Sequence, residues 1–382
     1  MEASRAARLL AAHIEEPLEV WPGFDPRRVP FAVYDEHKVR YLNHPSPPDE
    51  PPKLHAATDM QIGGVLTAVV PAAYAKDEAE LVPLAYHEAF HVYQNTGGFA
   101  PGPGFNFFAA LAHYPELDAE YLALCLLEEA LFNDADMEIE QKAAALAQAA
   151  RERHAILARN EDALQLEAFS ERSEGTASYV EHRVAREVFG KPYPPVSGGS
   201  KRVRVYSAGA ALGRLLDVLG VDWKRRAEKG ATPSGVLMEA FPADADLRPH
   251  GLARMLENAR AKVKELRNAV EVELSRAFSA GAVTLALPPH TPIYRSFNPQ
   301  RITSLGNGRL VYRGLRLDLP YGYVQLSEDV PALEDARART LCFPARQIRL
   351  EGDRLLADEP DVHIHLEQVI QEDEGSYRLT GN

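Results

Sequence analysis

The chain has 382 residues, of which 46% are hydrophobic, 25% charged and 8% aromatic. This is globular composition, and it excludes a wholly disordered, collagen-like or coiled-coil protein. The 42 basic residues are outnumbered by 55 acidic ones, for a net charge of -13. With no long Lys/Arg run, that balance argues against nucleic acid or an anionic membrane as a partner. Two cysteines, Cys125 and Cys342, are too few for a disulfide scaffold or a multi-cysteine metal site, and sequence leaves open whether they pair.

No apolar run approaches the roughly 18 residues that span a bilayer. Met1 to Val20 interrupts its Ala/Leu pattern with Arg5, Arg8, Glu15 and Glu16, unlike a secretory signal. A cytoplasmic protein is expected.

In chain order, residues 1–16 read as an amphipathic helix. Phe31 to Leu42 reads as strand broken by a polar turn, and Asn43 to Lys53, with five prolines, as a loop. Met60 to Val70 is rich in β-branched residues and reads as a strand. Helix follows: Leu81, Leu84, Ala85, His87, Phe90, His91 and Gln94 recur at helical spacing over 81–95, and Gly97-Gly98 ends the pattern. Further helices are expected over 116–133, 135–158 and 161–189. A Pro/Gly loop lies at Lys191 to Lys201, and helical patterns return at 206–219, 221–229, 233–240 and 247–279.

Near Gly281 the character changes. Short strands are expected over 283–287, 300–305, 309–319, 322–326, 345–350, 354–357 and 362–366. The expectation is an α+β chain: a mainly helical unit with a small N-terminal sheet over 1–280, and a β-rich unit over 281–382. No motif in the second unit suggests a role for it. His363 and His365 would share one strand face without an evident third ligand.

The chemistry-bearing motif is His87-Glu88-Ala89-Phe90-His91. Positions i and i+4 share a helix face, so both imidazoles can point at one metal ion, with Glu88 beside them. A third ligand is required. The segment Glu167 to Glu181 offers Glu167, Glu171, Glu174, Ser178 and Glu181 at helical spacing on one face. Such an acidic stripe is ordinarily solvated. Two imidazoles and one carboxylate would leave an open coordination position, as catalytic zinc sites do. The strand before the motif would be the edge against which an extended peptide pairs.

The His-Glu-Ala-Phe-His motif, followed by Glu174-Gly-Thr-Ala-Ser-Tyr179, resembles the gluzincin class of zinc metalloproteases. That resemblance is specific over 87–95 and 171–182 and does not reach the β-rich unit. It implies a zincin-like catalytic domain over 1–280, with an edge strand near 60–70, a motif helix over 81–95 and a third-ligand helix over 161–189. Carried over, it makes His87, His91 and Glu174 the ligands of one Zn2+ per chain, and Glu88 the general base toward a metal-activated water. Glu171 is the alternative third ligand, with Glu129, Asp134, His113 and His182 also open. Where gluzincins place an acidic residue four positions after the ligand Glu, this chain has Ser178, which would orient a ligand imidazole without adding charge. Tyr206, Tyr179 and His182 are candidates to stabilise the oxyanion.

The implied activity is zinc-dependent hydrolysis of peptide bonds in a peptide or protein substrate. Two other readings stay open. One is a catalytically silent zincin-like protein that binds a peptide or partner; the other is a metal-dependent hydrolase of a non-peptide amide. Oligomeric state and endo- or exo-cleavage are not readable from the sequence.

Overall fold

A computed structural model describes residues 1–50, 52, 54–97, 106–197, 204–243, 245–279, 281–288, 293–298 and 301–380. The helices are α1 (Ala3–Glu15), α2 (Glu78–Gly97), α3 (Phe107–His113), α4 (Ala119–Asn133), α5 (Ile139–Leu157), α6 (Glu161–Ser170), α7 (Thr176–Phe189), α8 (Arg204–Val218), α9 (Lys224–Glu228), α10 (Pro233–Ala240) and α11 (Leu252–Phe278). Strands β1 (Phe31–Tyr34), β2 (Val39–Leu42), β3 (Thr58–Ile62) and β4 (Val65–Pro71) form one sheet. A second sheet holds β5 (Ala282–Ala286), β6 (Tyr294–Ser296), β7 (Ile302–Gly306), β8 (Arg309–Leu319), β9 (Gly322–Asp335), β10 (Thr340–Pro344), β11 (Arg349–Glu351), β12 (Arg354–Glu359), β13 (Val362–Leu366), β14 (Val369–Asp373) and β15 (Ser376–Leu379). The architecture is α+β. No helix among the described residues is long and apolar enough to cross a membrane.

The chain divides into two compact units, one of Met1–Phe105, Leu124–Arg153 and Glu167–Leu252, the other of Asn106–Ala123, His154–Leu166 and Ala253–Asn382. This division differs from the expected boundary at 280. Nearly all of α11, together with two shorter segments, groups with the β-rich chain rather than with the helical one.

In the first unit the small sheet has the order β2-β1-β4-β3. The single strand expected over 60–70 is a hairpin instead. Ile62 pairs with Val65, leaving Gly63 and Gly64 as a two-residue turn with φ of 57° and 80°. Positive φ at both turn positions is what a tight hairpin of native twist requires, and glycine adopts it without steric cost. The edge is therefore β3, and β4 is buried between β3 and the parallel strand β1.

Helix α2 lies against β4 and α7. Asp77 caps its start, accepting the Glu80 backbone N–H at 3.1 Å. Tyr86 and Phe90 of α2 pack on Phe24, and Trp21 joins Phe90 to Tyr179 and Trp223 through ring centroids 4.9–6.2 Å apart. Trp21, Trp223, Tyr86, Tyr179 and Phe90 are among the largest fully buried side chains, and their burial anchors α2.

A second anchor is ionic. Glu128 of α4, Arg153 of α5, Glu167 of α6 and Arg204 of α8 are all buried. Each arginine bonds both carboxylates, with Arg153 Nε to Glu128 at 3.0 Å and Arg204 Nη1 to Glu128 at 2.6 Å. Buried charges survive only when paired this fully; deleting one partner typically costs about 3–5 kcal/mol.

The continuous helix expected over 161–189 is broken by a π turn, Glu171–Gly175, between α6 and α7. There α8 comes within atomic contact: a Cβ on Gly209 would lie 2.5 Å from the Gly175 Cα. Only a glycine pair admits that approach.

In the second unit β8 and β9 form a long hairpin extending from Arg309↔Asp335 to Leu319↔Gly322. Alternating burial along β5, β10, β12 and β13 gives the sheet one apolar face. Strands β6, β10, β14 and β15 and helix α3 lie outside the elements expected from sequence. Residue 300 and Gly98, the second of the glycines expected to end the motif helix, lie outside the described residues. So does the later part of the loop at 191–201.

Candidate metal centre

His87, Glu88 and His91 stand on one turn of α2, the imidazole centroids 4.8 Å apart. They line a cleft of about 420 Å³ with Ala57 just before β3, Thr58 and Asp59 from β3, Glu174 from the π turn and Tyr206 from α8. Glu174 Oε2 lies 3.5 Å from His87 Nε2 and 3.3 Å from His91 Nε2. Among the described residues, His87, His91 and Glu174 are the one group of three metal-competent side chains, with ligand atoms all within 4.8 Å of one another.

The far ring nitrogens decide how the imidazoles point. Nδ1 of His87 donates to Glu181 Oε2 at 2.9 Å, and Nδ1 of His91 donates to Gln94 Oε1 at 2.7 Å. The orientation of the Gln94 amide is settled by its own surroundings. Its Nε2 reaches the Arg172 carbonyl at 3.2 Å, the Ser173 carbonyl at 2.8 Å and Thr176 Oγ1 at 2.8 Å. The two carbonyls can only accept, so the amide oxygen faces His91 and Nδ1 must carry the proton. Both Nε2 atoms then face Glu174. Fixing the tautomer through the distal nitrogen is how proteins present imidazole to a metal.

Ser178 does not take the orienting role. It is buried on α7, while the distal nitrogens are held by Glu181 and Gln94. The carboxylate on His87 Nδ1 is that of Glu181, three residues after Ser178. Both residues belong to periodic patterns visible in the sequence, but periodicity gives no sign of what they bond.

Glu171, the alternative ligand, is turned away from the cleft. It is 2% exposed, and its carboxyl accepts the Ser234 backbone N–H and, at 2.8 Å, the Ser234 hydroxyl at the start of α10. Burial pushes its pKa up. The π turn separates the two acids: a wider turn shifts the phase of the helix, so residues three apart no longer share a face. Each member of the acidic stripe has its own buried or half-buried partner: Glu167 the arginines, Glu171 Ser234, Glu174 both histidines and Glu181 His87.

Tyr179 is also excluded from the cleft. Its ring is fully buried beside Trp21 and Trp223, and its hydroxyl donates to Asp217. His182 accepts from Arg214 Nη1 at 3.2 Å at Nδ1 and does not line the cleft. Of the three oxyanion candidates only Tyr206 reaches it, its ring stacked over His87 at 6.5 Å and 10°. His113 falls in the other compact unit. On β13, His363 bonds Asp358 at 2.8 Å and His365 stacks on Tyr323. Cys125 and Cys342 are both free thiols.

The electrostatics favour positive charge. Burial alone would depress His87, yet Glu174 and Glu181 on its two nitrogens hold it up at about 10. Burial opposes ionisation of Glu174, but the two imidazoles keep it well below the usual carboxylate range. Burial raises Glu88 to about 7, against the pull of both histidines.

The donor set fits a zinc ion. Ligands about 2.0–2.1 Å from a tetrahedral centre stand about 3.3–3.4 Å apart, close to the two separations measured from Glu174. A second observation concerns Glu88. Its Oε2 is buried with no hydrogen-bond partner among the described residues, a state that costs about 1–3 kcal/mol unless something in the cleft relieves it.

Asp59, Asn95, Phe169 and Ser173 also line the cleft. Sequence reasoning did not single them out, because nothing local marks a residue brought to a site by the fold. No protein-family model matches this chain, and neither a curated protein nor a solved structure matches it.

Proposed function

We propose that the chain is a zinc-dependent peptide-bond hydrolase of gluzincin type, holding one zinc ion between His87, His91 and Glu174. The observation that carries this reading is the convergence in one cleft of three metal-competent ligand atoms and a buried carboxylate oxygen with no hydrogen-bond partner among the described residues.

Zinc bound there would supply Lewis-acid chemistry, polarising a carbonyl and acidifying water. The protein's own groups do the rest. Glu181 and Gln94 hold the imidazoles with Nε2 inward. Glu88 takes a proton from the attacking water at Oε2 and passes it to the leaving nitrogen. Tyr206, over the His87 ring, is placed to donate to the oxygen on which charge develops. The extended substrate pairs with the edge strand β3, whose Thr58–Asp59 end borders the cleft.

The test is zinc content and hydrolysis of a mixed peptide library by the wild type and Glu88→Gln. The expected result is one zinc per chain in both, with hydrolysis in the variant reduced about 10²–10⁴-fold. Folded protein that takes up no zinc would overturn the reading. Zinc without hydrolysis across pH would favour a silent binding protein.

A further inference from the structure

We propose that the cleft selects substrates by a cationic group, an ammonium or guanidinium, received by Asp59. The inference rests on the proposed hydrolase reading and deepens it.

Asp59 lies on the edge strand and faces the cleft. Its Oδ2 accepts from Asn95 Nδ2 at 2.5 Å; Asn95 lies one helical turn beyond His91 on α2. That contact fixes the carboxylate in place but, being with a neutral amide, leaves its charge uncompensated. Among the described residues, no lysine or arginine lines the cleft, whose carboxylates are Asp59, Glu88 and Glu174. A zinc ion would balance Glu174 and Glu88. Asp59 would remain, among the described lining residues, as the one carboxylate without a counter-charge, half-buried and therefore less screened than a surface acid. A substrate paired with β3 presents alternate side chains along that edge, and one of them would meet Asp59. Two sources supply the same chemistry: a basic side chain near the scissile bond, or the free amino terminus of a short peptide.

A purely structural role for Asp59 would depend on its bond to Asn95 and not on its charge. Asp59→Asn retains an acceptor for Asn95 and removes the charge, and Asp59→Lys reverses it. The experiment uses the zinc-loaded full chain and matched peptides that differ only at one Lys, norleucine or Glu position, each with a free or acetylated amino terminus. Hydrolysis is measured with active enzyme, and binding by calorimetry with Glu88→Gln.

The expected result is a preference of about tenfold for the cationic peptide over its norleucine counterpart, in both measurements. That preference disappears with Asp59→Asn and inverts toward the Glu peptide with Asp59→Lys. If acetylation alone removes it, the cation is the amino terminus; if the Lys-to-norleucine change alone removes it, the cation is a side chain. Equal preference in wild type and Asp59→Asn would overturn the proposal, as would binding of no peptide at all. Hydrolysis without charge preference would overturn this inference and leave the hydrolase reading standing. Charge-selective binding to the zinc-loaded chain without hydrolysis would do the reverse.

Discussion

Gln94 Oε1 lies 2.7 Å from Nδ1 of His91, while the amide nitrogen of the same side chain reaches the carbonyls of Arg172 and Ser173. One buried side chain thus orients His91 on α2 and ties down the π turn that carries Glu174. Gln94→Leu should lower zinc affinity about 10–100-fold. It should also cost about 1–3 kcal/mol of stability, because two carbonyls of the turn lose a donor. Gln94→Glu keeps an acceptor for His91 but places a carboxylate against those carbonyls, so it should retain more of the affinity than of the stability. Zinc competition titrations and urea unfolding measure the two effects separately.

Glu171 and Glu174 are one residue type three positions apart with different work to do. Glu174→Gln should weaken zinc binding by more than the roughly 10–100-fold typical of an outer contact, with little change in the fold of the metal-free chain. Glu171→Ala should keep zinc at one per chain and lose about 1–3 kcal/mol, because the Ser234 N–H and hydroxyl lose their bonds to the Glu171 carboxylate. Equal zinc loss in both variants would contradict the assignment.

The contact of Gly175 with Gly209 sets how closely α8, and with it Tyr206, approaches the ligand-bearing turn. Gly209→Ala places a methyl group 2.5 Å from a backbone carbon, which only helix displacement relieves. A loss of about 1–3 kcal/mol is expected in urea unfolding. Hydrolysis should fall further than zinc content does, since Tyr206 moves and the ligands stay on α2 and the π turn.

His182 gives a pH dependence of known sign. Burial, with Arg214 adding to it and Glu181 opposing, holds its pKa down at about 4 from 6.5. The unfolded chain therefore takes up this proton at higher pH than the folded one. The His182 contribution is constant above pH 6.5, falls as pH drops from 6.5 toward 4, and levels off below. His182→Gln, which retains an acceptor for Arg214, should flatten that part of the curve. Urea midpoints of both proteins between pH 7.5 and 4.5 would show it; parallel curves would refute it.

The sequence by itself determined what depends on local periodicity. The i, i+4 spacing places His87 and His91 on one helix face whatever the chain does elsewhere, and apolar recurrence defines α2, α10 and β8 to within a few residues. The change from helix to strand near Gly281 is equally local. The Gly63-Gly64 pair is a hairpin signal of the same kind, and it divides what reads as one strand.

Only the tertiary structure decided which acid comes to lie against His87 and His91 and which side chains hold their distal nitrogens. Uniform helical spacing puts Glu167, Glu171, Glu174, Ser178 and Glu181 on one face. The π turn breaks that uniformity, and the segment then meets α5, α8, α10 and α2 in succession. Glu181 and Gln94 acquire their roles from partners distant in sequence, and Asp59 faces the cleft only because β3 is the sheet edge beside α2. Hydrogen bonds between distant segments leave no periodic trace in the chain, because they depend on where helices cross and not on how any one of them is built.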